Sequence, residues 1–313
     1  MKILVTGAGG FVGAHLIKRL GHDPHNEIFA AVYKATSDLS GLLPADHVMA
    51  GDLTDFSYAE SMVKSVMPDV VYHLAALSVV HNSVAEARKV LVGNTILQYN
   101  LLESLRLHAQ SARILAVCSA NEYGLVAKEN IPINESCPLR PLNPYAVSKV
   151  TQEMLAEQYH LAYGMHIVIV RPFNHTGPGQ TTDFVIPALA KQCIAIEKGE
   201  QNKITVGNLE TIRDFTDVED MVAAYTLAIE KCAIGQVYNI GSGKGVSVAE
   251  IIAIFRKQLG IEFALDQTEN AMRAADVPIL IADAAKFRAA TGWSPTIPLE
   301  DTIIKVLDYW RRR

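Results

Sequence analysis

The chain opens on a segment that leaves its backbone little choice. Lys2–Thr6 is a short apolar run, Gly7-Ala8-Gly9-Gly10 comes next, and Phe11–Leu20 has a helical pattern. Gly7, Gly10 and Gly13 fall at a GxxGxxG spacing between that strand and that helix. Glycines so placed permit a tight turn, let backbone approach a pyrophosphate, and let the helix lie close to the strand. The first N–H groups of the helix then face the anion. Strand before and helix after is the context that makes the spacing informative. It predicts a dinucleotide on the turn Gly7, Gly10, Phe11, Val12 and Gly13.

The next 150 residues agree with such a start. Apolar, β-branched runs at 28–33, 47–49, 70–73, 114–118 and 166–170 alternate with helical patterns at 58–66, 94–107 and 144–163. Continuous apolar strands alternating with helices mean a parallel sheet covered on both faces, an α/β doubly wound fold. After Arg171 the pattern breaks up at Pro172, Pro178 and Pro187. Helices are expected at 184–198, 218–231 and 248–259, with a strand at 204–206. The expected division is a dinucleotide domain, 1–172 plus 209–239, and a smaller α/β substrate lobe, 173–208 plus 240–313.

Bulk properties exclude several classes. The net charge is −5, without a basic cluster, so there is no electrostatic footprint for nucleic acid. No apolar run approaches a membrane span, and the glycines after Val5 leave no signal-peptide core. Cys118, Cys137, Cys193 and Cys232 show no metal-ligand spacing, so no metal is expected and a reducing cytoplasm fits best.

Dinucleotide sites that prefer NAD often carry a carboxylate after the second strand, on the ribose 2′-hydroxyl. Here Val32-Tyr33-Lys34-Ala35-Thr36-Ser37 offers a cation and hydroxyls instead. Lys34 suits a 2′-phosphate, so NADP(H) is favoured over NAD(H). Asp52 and Leu53, after the third strand, are expected near the adenine.

Tyr145 and Lys149 stand four apart at the start of a helical pattern, sharing a face. The strand and loop before them carry Ser119. Hydride transfer at a carbonyl carbon needs a proton at the oxygen. A Tyr supplies one near neutrality only if its pKa falls by about three units, roughly 4 kcal/mol. A neighbouring ammonium and a cationic nicotinamide favour phenolate. Ser119 would hydrogen-bond the reacting oxygen and Lys149 would also hold ribose.

Thr6–Gly13, His73-Leu74-Ala75-Ala76, Ser119…Tyr123-Gly124 and Tyr145…Lys149 together resemble the extended short-chain dehydrogenases/reductases, over essentially the whole chain. That resemblance implies a Rossmann-type domain, cofactor contacts at Leu74, Ala75 and Ala76, and a Ser/Tyr/Lys catalytic set. It also implies a homodimer through a four-helix bundle using 94–107 and 144–163.

Arg171-Pro172-Phe173-Asn174-His175, Arg213-Asp214-Phe215 and Arg273 are similar to the GDP-mannose branch of that superfamily, above all its GDP-4-keto-6-deoxy-D-mannose reductases. The similarity implies a GDP-sugar site at Asn174, Val185, Lys191, Arg213, Arg273 and Asp276, although the branch usually has Glu at the last position. Arginine forks suit a diphosphate.

Cys118-Ser-Ala-Asn-Glu-Tyr-Gly124 separates two reactions. Related dehydratases place a Glu base three residues before the Gly. This chain has Asn121 there, an amide that cannot act as a base. Glu122 is offset by one residue, which in an extended segment turns a side chain to the other side. The expected activity is therefore NAD(P)H-dependent reduction of the C4 ketone of GDP-4-keto-6-deoxy-D-mannose, with Asn121 near the sugar. The product is GDP-D-rhamnose or its C4 epimer GDP-6-deoxy-D-talose. The rivals are a nucleotide-sugar 4-epimerase, a 4,6-dehydratase, and a non-catalytic NAD(P)-sensing regulator.

Overall fold

The computed structural model describes residues 1–34, 39–78, 84–267 and 277–313. Its first half runs β1 (Lys2–Thr6), α1 (Phe11–Leu20), β2 (Glu27–Val32), β3 (Val48–Ala50), α2 (Phe56–Val66), β4 (Val70–His73), α3 (Val84–His108), β5 (Arg113–Val117), α4 (Pro144–Tyr163) and β6 (His166–Pro172). The second half runs β7 (Asn174–Thr176), α5 (Val185–Glu197), β8 (Lys203–Val206), β9 (Ile212–Asp217), α6 (Val218–Lys231) and β10 (Val237–Ile240). It continues with β11 (Gly245–Ser247), α7 (Val248–Leu259), β12 (Ala264–Gln267), β13 (Ile279–Leu280), α8 (Ala285–Thr291) and α9 (Leu299–Arg311).

Seven strands form one sheet in the order β10-β6-β5-β4-β1-β2-β3. Every neighbouring pair is parallel. Its strands alternate between two cores, as a period of two requires. Ile3, Val5, Leu115 and Val168 face α1 and α6, while Leu4, Val71, Ile114 and Ile167 face α2, α3 and α4. Both faces are apolar, which is why the strands read as unbroken apolar runs. This is the doubly wound Rossmann-type fold.

Two expectations are corrected. The first is where α3 starts: Val84, not Asn94. Gly93 weakens helix locally by about 1 kcal/mol, but tertiary packing overrides it. A Cβ there would lie 3.1 Å from Leu77 Cδ1, and the Asn94 amide accepts from Leu77 N at 2.7 Å and donates to Leu77 O at 3.2 Å. The second concerns β9, which lies inside the 209–239 stretch but pairs with β7, β11 and β13. The return to the main sheet begins at α6. Extended residues look alike in either sheet, so local pattern does not separate them.

The smaller lobe has its own core, where Leu189 and Cys193 of α5 meet Ile251 and Phe255 of α7 and Ile303 and Val306 of α9. No helix among the described residues is long and apolar enough to cross a membrane.

Candidate active site

A cavity of about 490 Å³ opens at the carboxyl ends of β1, β4, β5 and β6. Open α/β sheets bind ligands at that edge, because the loops and helix N-termini converge there. Gly7, Gly10, Phe11, Val12 and Gly13 line it, and Leu74 and Ala76, next to Gly7, line it too. Among the described residues, no carboxylate lines it. The glycines are required sterically. A Cβ on Gly13 would stand 2.5 Å from Gly7 O, and one on Gly7, at φ +70°, would stand 2.7 Å from Ala75 N. The turn can therefore lie flat under a phosphate, at the N-terminus of α1.

Ser119, Tyr145 and Lys149 line the same cavity. Asn143 caps α4, accepting from Ala146 N at 2.8 Å, and Pro144 is the first helical residue. That start puts Tyr145 in the first turn and Lys149 one turn further on. The Lys149 ammonium donates to Val117 O at 2.8 Å and lies 6.0 Å from the Tyr145 ring centroid. The Ser119 hydroxyl stands close enough to the phenol to favour its ionised form.

Burial holds the Tyr145 phenol above its ordinary range, Glu122 adds to this, and the Ser119 hydroxyl opposes it. Burial likewise pushes the Lys149 ammonium down.

Asn121 lines the cavity and Glu122 does not. Glu122 lies on the other side, fully buried, with Oε1 accepting from Ser119 N at 2.8 Å. The two side chains diverge, but not through an extended backbone. Residues 120–123 form a 3₁₀ turn rather than an extended segment. Consecutive side chains of such a turn point about 120° apart, which is enough to put one in the cavity and the next in the core.

A second cavity, of about 550 Å³, adjoins the first. Asn174, Val185 and Arg213 line it. The Arg213 guanidinium donates to Ile212 O at 2.9 Å, which anchors its base. Lys191 does not line it: its ammonium lies 5.7 Å from the centre of the Trp310 ring. Gln192, the next residue, takes the lining position. Arg273 and Asp276 lie outside the described residues. Asp52, Leu53, Ala75 and Ala76 line a third cavity with Val32 and Tyr33, whereas Lys34 lines none of the three.

Comparison with known proteins gives the family. The profile of the family described as GDP-mannose 4,6 dehydratase matches residues 4–306. The chain belongs to this family. Among curated members, it is similar to GDP-6-deoxy-D-mannose reductase of Pseudomonas aeruginosa, with 32% identity covering 100% of this chain and 98% of that protein. It is also similar to GDP-6-deoxy-D-talose 4-dehydrogenase of Aggregatibacter actinomycetemcomitans, with 31% identity covering 93% and 92%. The solved structure of RMD from Pseudomonas aeruginosa complexed with NADPH superposes with a TM-score of 0.88 at 32% identity, covering 100% of this chain and 99% of that one.

Several residues lining these cavities in this family member are not evident from the sequence. Arg88 and Lys89 of α3 line the third cavity beside Asp52. They sit before the predicted start of that helix, so no local signal connects them to it. Gln192 fixes β8 against α5, accepting from Thr205 N at 2.8 Å and donating to Thr205 O at 3.2 Å. Its position next to Lys191 is the one signal that points to it. Ser78, His175, Gln180 and Phe184 line both the first and second cavities. Of these, only His175 and Gln180 fall in the proline-rich Arg171–Gln180 stretch that marks the start of the smaller lobe.

Proposed function

We propose that this protein reduces the C4 ketone of a GDP-4-keto-6-deoxyhexose with NAD(P)H, NADP(H) being the favoured cofactor. The observation that carries this reading is the Ser119, Tyr145 and Lys149 set, with an amide at Asn121, in a cavity that shares a wall with a second one lined by Arg213. Gly7, Gly10 and Gly13 fit a pyrophosphate, since at those three positions the backbone carries no side chain and lines the cavity directly. Asp52 and Leu53 fit an adenine in the third cavity, and Arg88 and Lys89 bring positive charge there.

A bound nicotinamide would supply a hydride to the sugar carbon. Tyr145 gives its proton to the carbonyl oxygen, so that a ketone becomes an alcohol. Ser119 hydrogen-bonds that oxygen, and Lys149 holds the ribose and its positive charge close to the phenol. Asn174, Val185 and Arg213 hold the GDP portion, Arg213 on the diphosphate; Arg273 and Asp276 are proposed for the same site. The activities of the reductase and dehydrogenase relatives support this choice. The product is GDP-D-rhamnose, with GDP-6-deoxy-D-talose formed if the sugar presents its other face.

We further propose a homodimer. Val92, Ile96 and Tyr99 on α3 and Val147, Met154 and Leu161 on α4 are exposed apolar residues at helical spacing, and two such helices from each copy would cover one another. A reducing, cytoplasmic location suits the free cysteines.

Purified protein given GDP-4-keto-6-deoxy-D-mannose should consume NADPH, monitored by its absorbance, and NMR of the product should show a single C4 alcohol. GDP-mannose should not lose water. Dehydration of GDP-mannose, or exchange of C4 epimers without added NADPH, would overturn the proposal.

A further inference from the structure

Behind the catalytic turn lies a buried group of ionisable side chains that the proposed chemistry leaves unused. Glu122 is fully buried and Glu153, from α4, nearly so. Their carboxyl groups and the Cys118 sulfur each place an atom within 4.8 Å of the others. Arg171, on β6, is the cation there, and it is committed to Glu153. Its Nε donates to Glu153 Oε2 at 2.7 Å and its Nη2 to Glu153 Oε1. Its Nη1 donates to the Tyr123 hydroxyl at 2.8 Å. Toward Glu122 it comes only to 3.6 Å.

Glu122 is thus half satisfied. Oε1 accepts from Ser119 N, which closes a capping box around the turn. Oε2 is buried with no donor directed at it. A buried oxygen that faces another carboxylate and has no donor of its own is where a proton belongs.

We infer that Glu122 is a positioning residue. It shares one proton with Glu153, and this uncharged link between α4 and the turn holds Ser119 where it meets Tyr145. The inference rests on the proposed reductase reading for its kinetic part only. Two carboxylates beside one guanidinium would otherwise carry a net negative charge away from water, next to the phenol that must take part in proton transfer. Burial and the neighbouring Glu153 push the Glu122 carboxyl well above its ordinary range, and outweigh Arg171 and the Ser119 amide. Among the described groups, Cys118, Glu153, Arg171, Tyr123, Tyr145 and Lys149 surround it. Of these, Tyr145 feels the Glu122 charge as one that holds its proton on. A neutral Glu122 removes that opposition. The cluster is not a metal site in this arrangement, because Arg171 occupies both oxygens of Glu153.

The test compares Glu122→Gln with Glu122→Leu in the full-length protein. Gln keeps an acceptor for Ser119 N and a donor toward Glu153, and cannot ionise. Leu keeps only volume. Infrared spectra at neutral pH should show a carboxylic-acid carbonyl band in the parent protein that is missing from Glu122→Gln. This readout needs no substrate and stands even if the parent fails to reduce the keto sugar. In turnover, Glu122→Gln should stay within roughly threefold of the parent in kcat, whereas Glu122→Leu should fall roughly 10- to 100-fold with NADPH affinity unchanged. A parent protein without the acid band would overturn the inference. So would a Glu122→Leu variant as active as Glu122→Gln, or a Glu122→Gln variant as impaired as Glu122→Leu.

Discussion

The first and second cavities share a wall at Asn174, His175, Gln180 and Phe184, yet they are built in different ways. The first is made from strand ends. Its glycines and its proton-bearing groups come from three short contiguous pieces, the glycine turn, a 3₁₀ turn and the first two turns of α4, while Phe173, Tyr225 and Leu280 from other elements complete its wall. The second is assembled from the loop after β7, α5, the end of β8, β9 and the start of α7. On the proposed reading, the difference separates chemistry from specificity. The first cavity contains groups able to move a proton, and the second contains groups able to hold an anion.

The comparison breaks most sharply at Tyr145. Tyr145→Phe should lower kcat by roughly 10²- to 10⁴-fold, the usual worth of a positioned acid, while NADPH binding measured by fluorescence stays near that of the parent. Retained turnover would remove the phenol from the chemistry. On the other side of the shared wall, Arg213→Ala should raise the KM for the GDP sugar and leave kcat nearly unchanged. Loss of a charge-assisted hydrogen bond, about 1.5–3 kcal/mol, corresponds to roughly 10- to 100-fold. A fall in kcat with constant KM would mean that the second cavity takes part in the chemical step.

Gly13→Ala tests the backbone origin of the first cavity. The added Cβ meets backbone oxygens of Gly7 and Ala8 at 2.5 and 2.6 Å, which cannot rotate away. Chemical denaturation should show a loss of about 1–3 kcal/mol, with weaker NADPH binding. A variant as stable as the parent would mean that the turn has room to spare.

The smallest effect concerns the seam between the lobes. His15 on α1 lies 2.6 Å from Glu219 on α6 and 2.9 Å from Pro178 O. Burial disfavours its charge, but the bonds to Glu219 and Pro178 outweigh that and raise its pKa from 6.5. The folded chain then holds a proton that the unfolded chain releases above 6.5. This stability is fully present below that pH and is lost as pH rises through the raised pKa. Discounted for the exposure of Glu219, it amounts to about 0.5–1 kcal/mol. Thermal unfolding of His15→Gln should show a flatter pH dependence across that window than the parent does.

Much of the fold was legible because it is local. Short, β-branched apolar runs at β1, β4, β5 and β6, alternating with helical patterns, read as strands of a sheet covered on both faces, and Gly7, Gly10 and Gly13 name the turn between the first strand and helix. The start of α3 was not legible, because Leu77 and Asn94 hold its early turns against local propensity. Lys191 shows the limit in the site itself. Its neighbours in sequence were informative, but a helix turns each residue by about 100°, and that rotation gives the lining place to Gln192 and puts Lys191 on Trp310.

The sequence by itself determined the doubly wound sheet, the glycine turn, the pairing of Tyr145 with Lys149, and the amide at Asn121. These depend on residue type and short spacing, which a chain carries before it folds. The tertiary structure alone decided that Glu122 and Glu153 meet over Arg171, that Arg88 and Lys89 join Asp52, and that His15 bridges α1 to α6. Such meetings join residues from separate elements. Their distances are set by how the layers pack, and no periodicity within one segment encodes them.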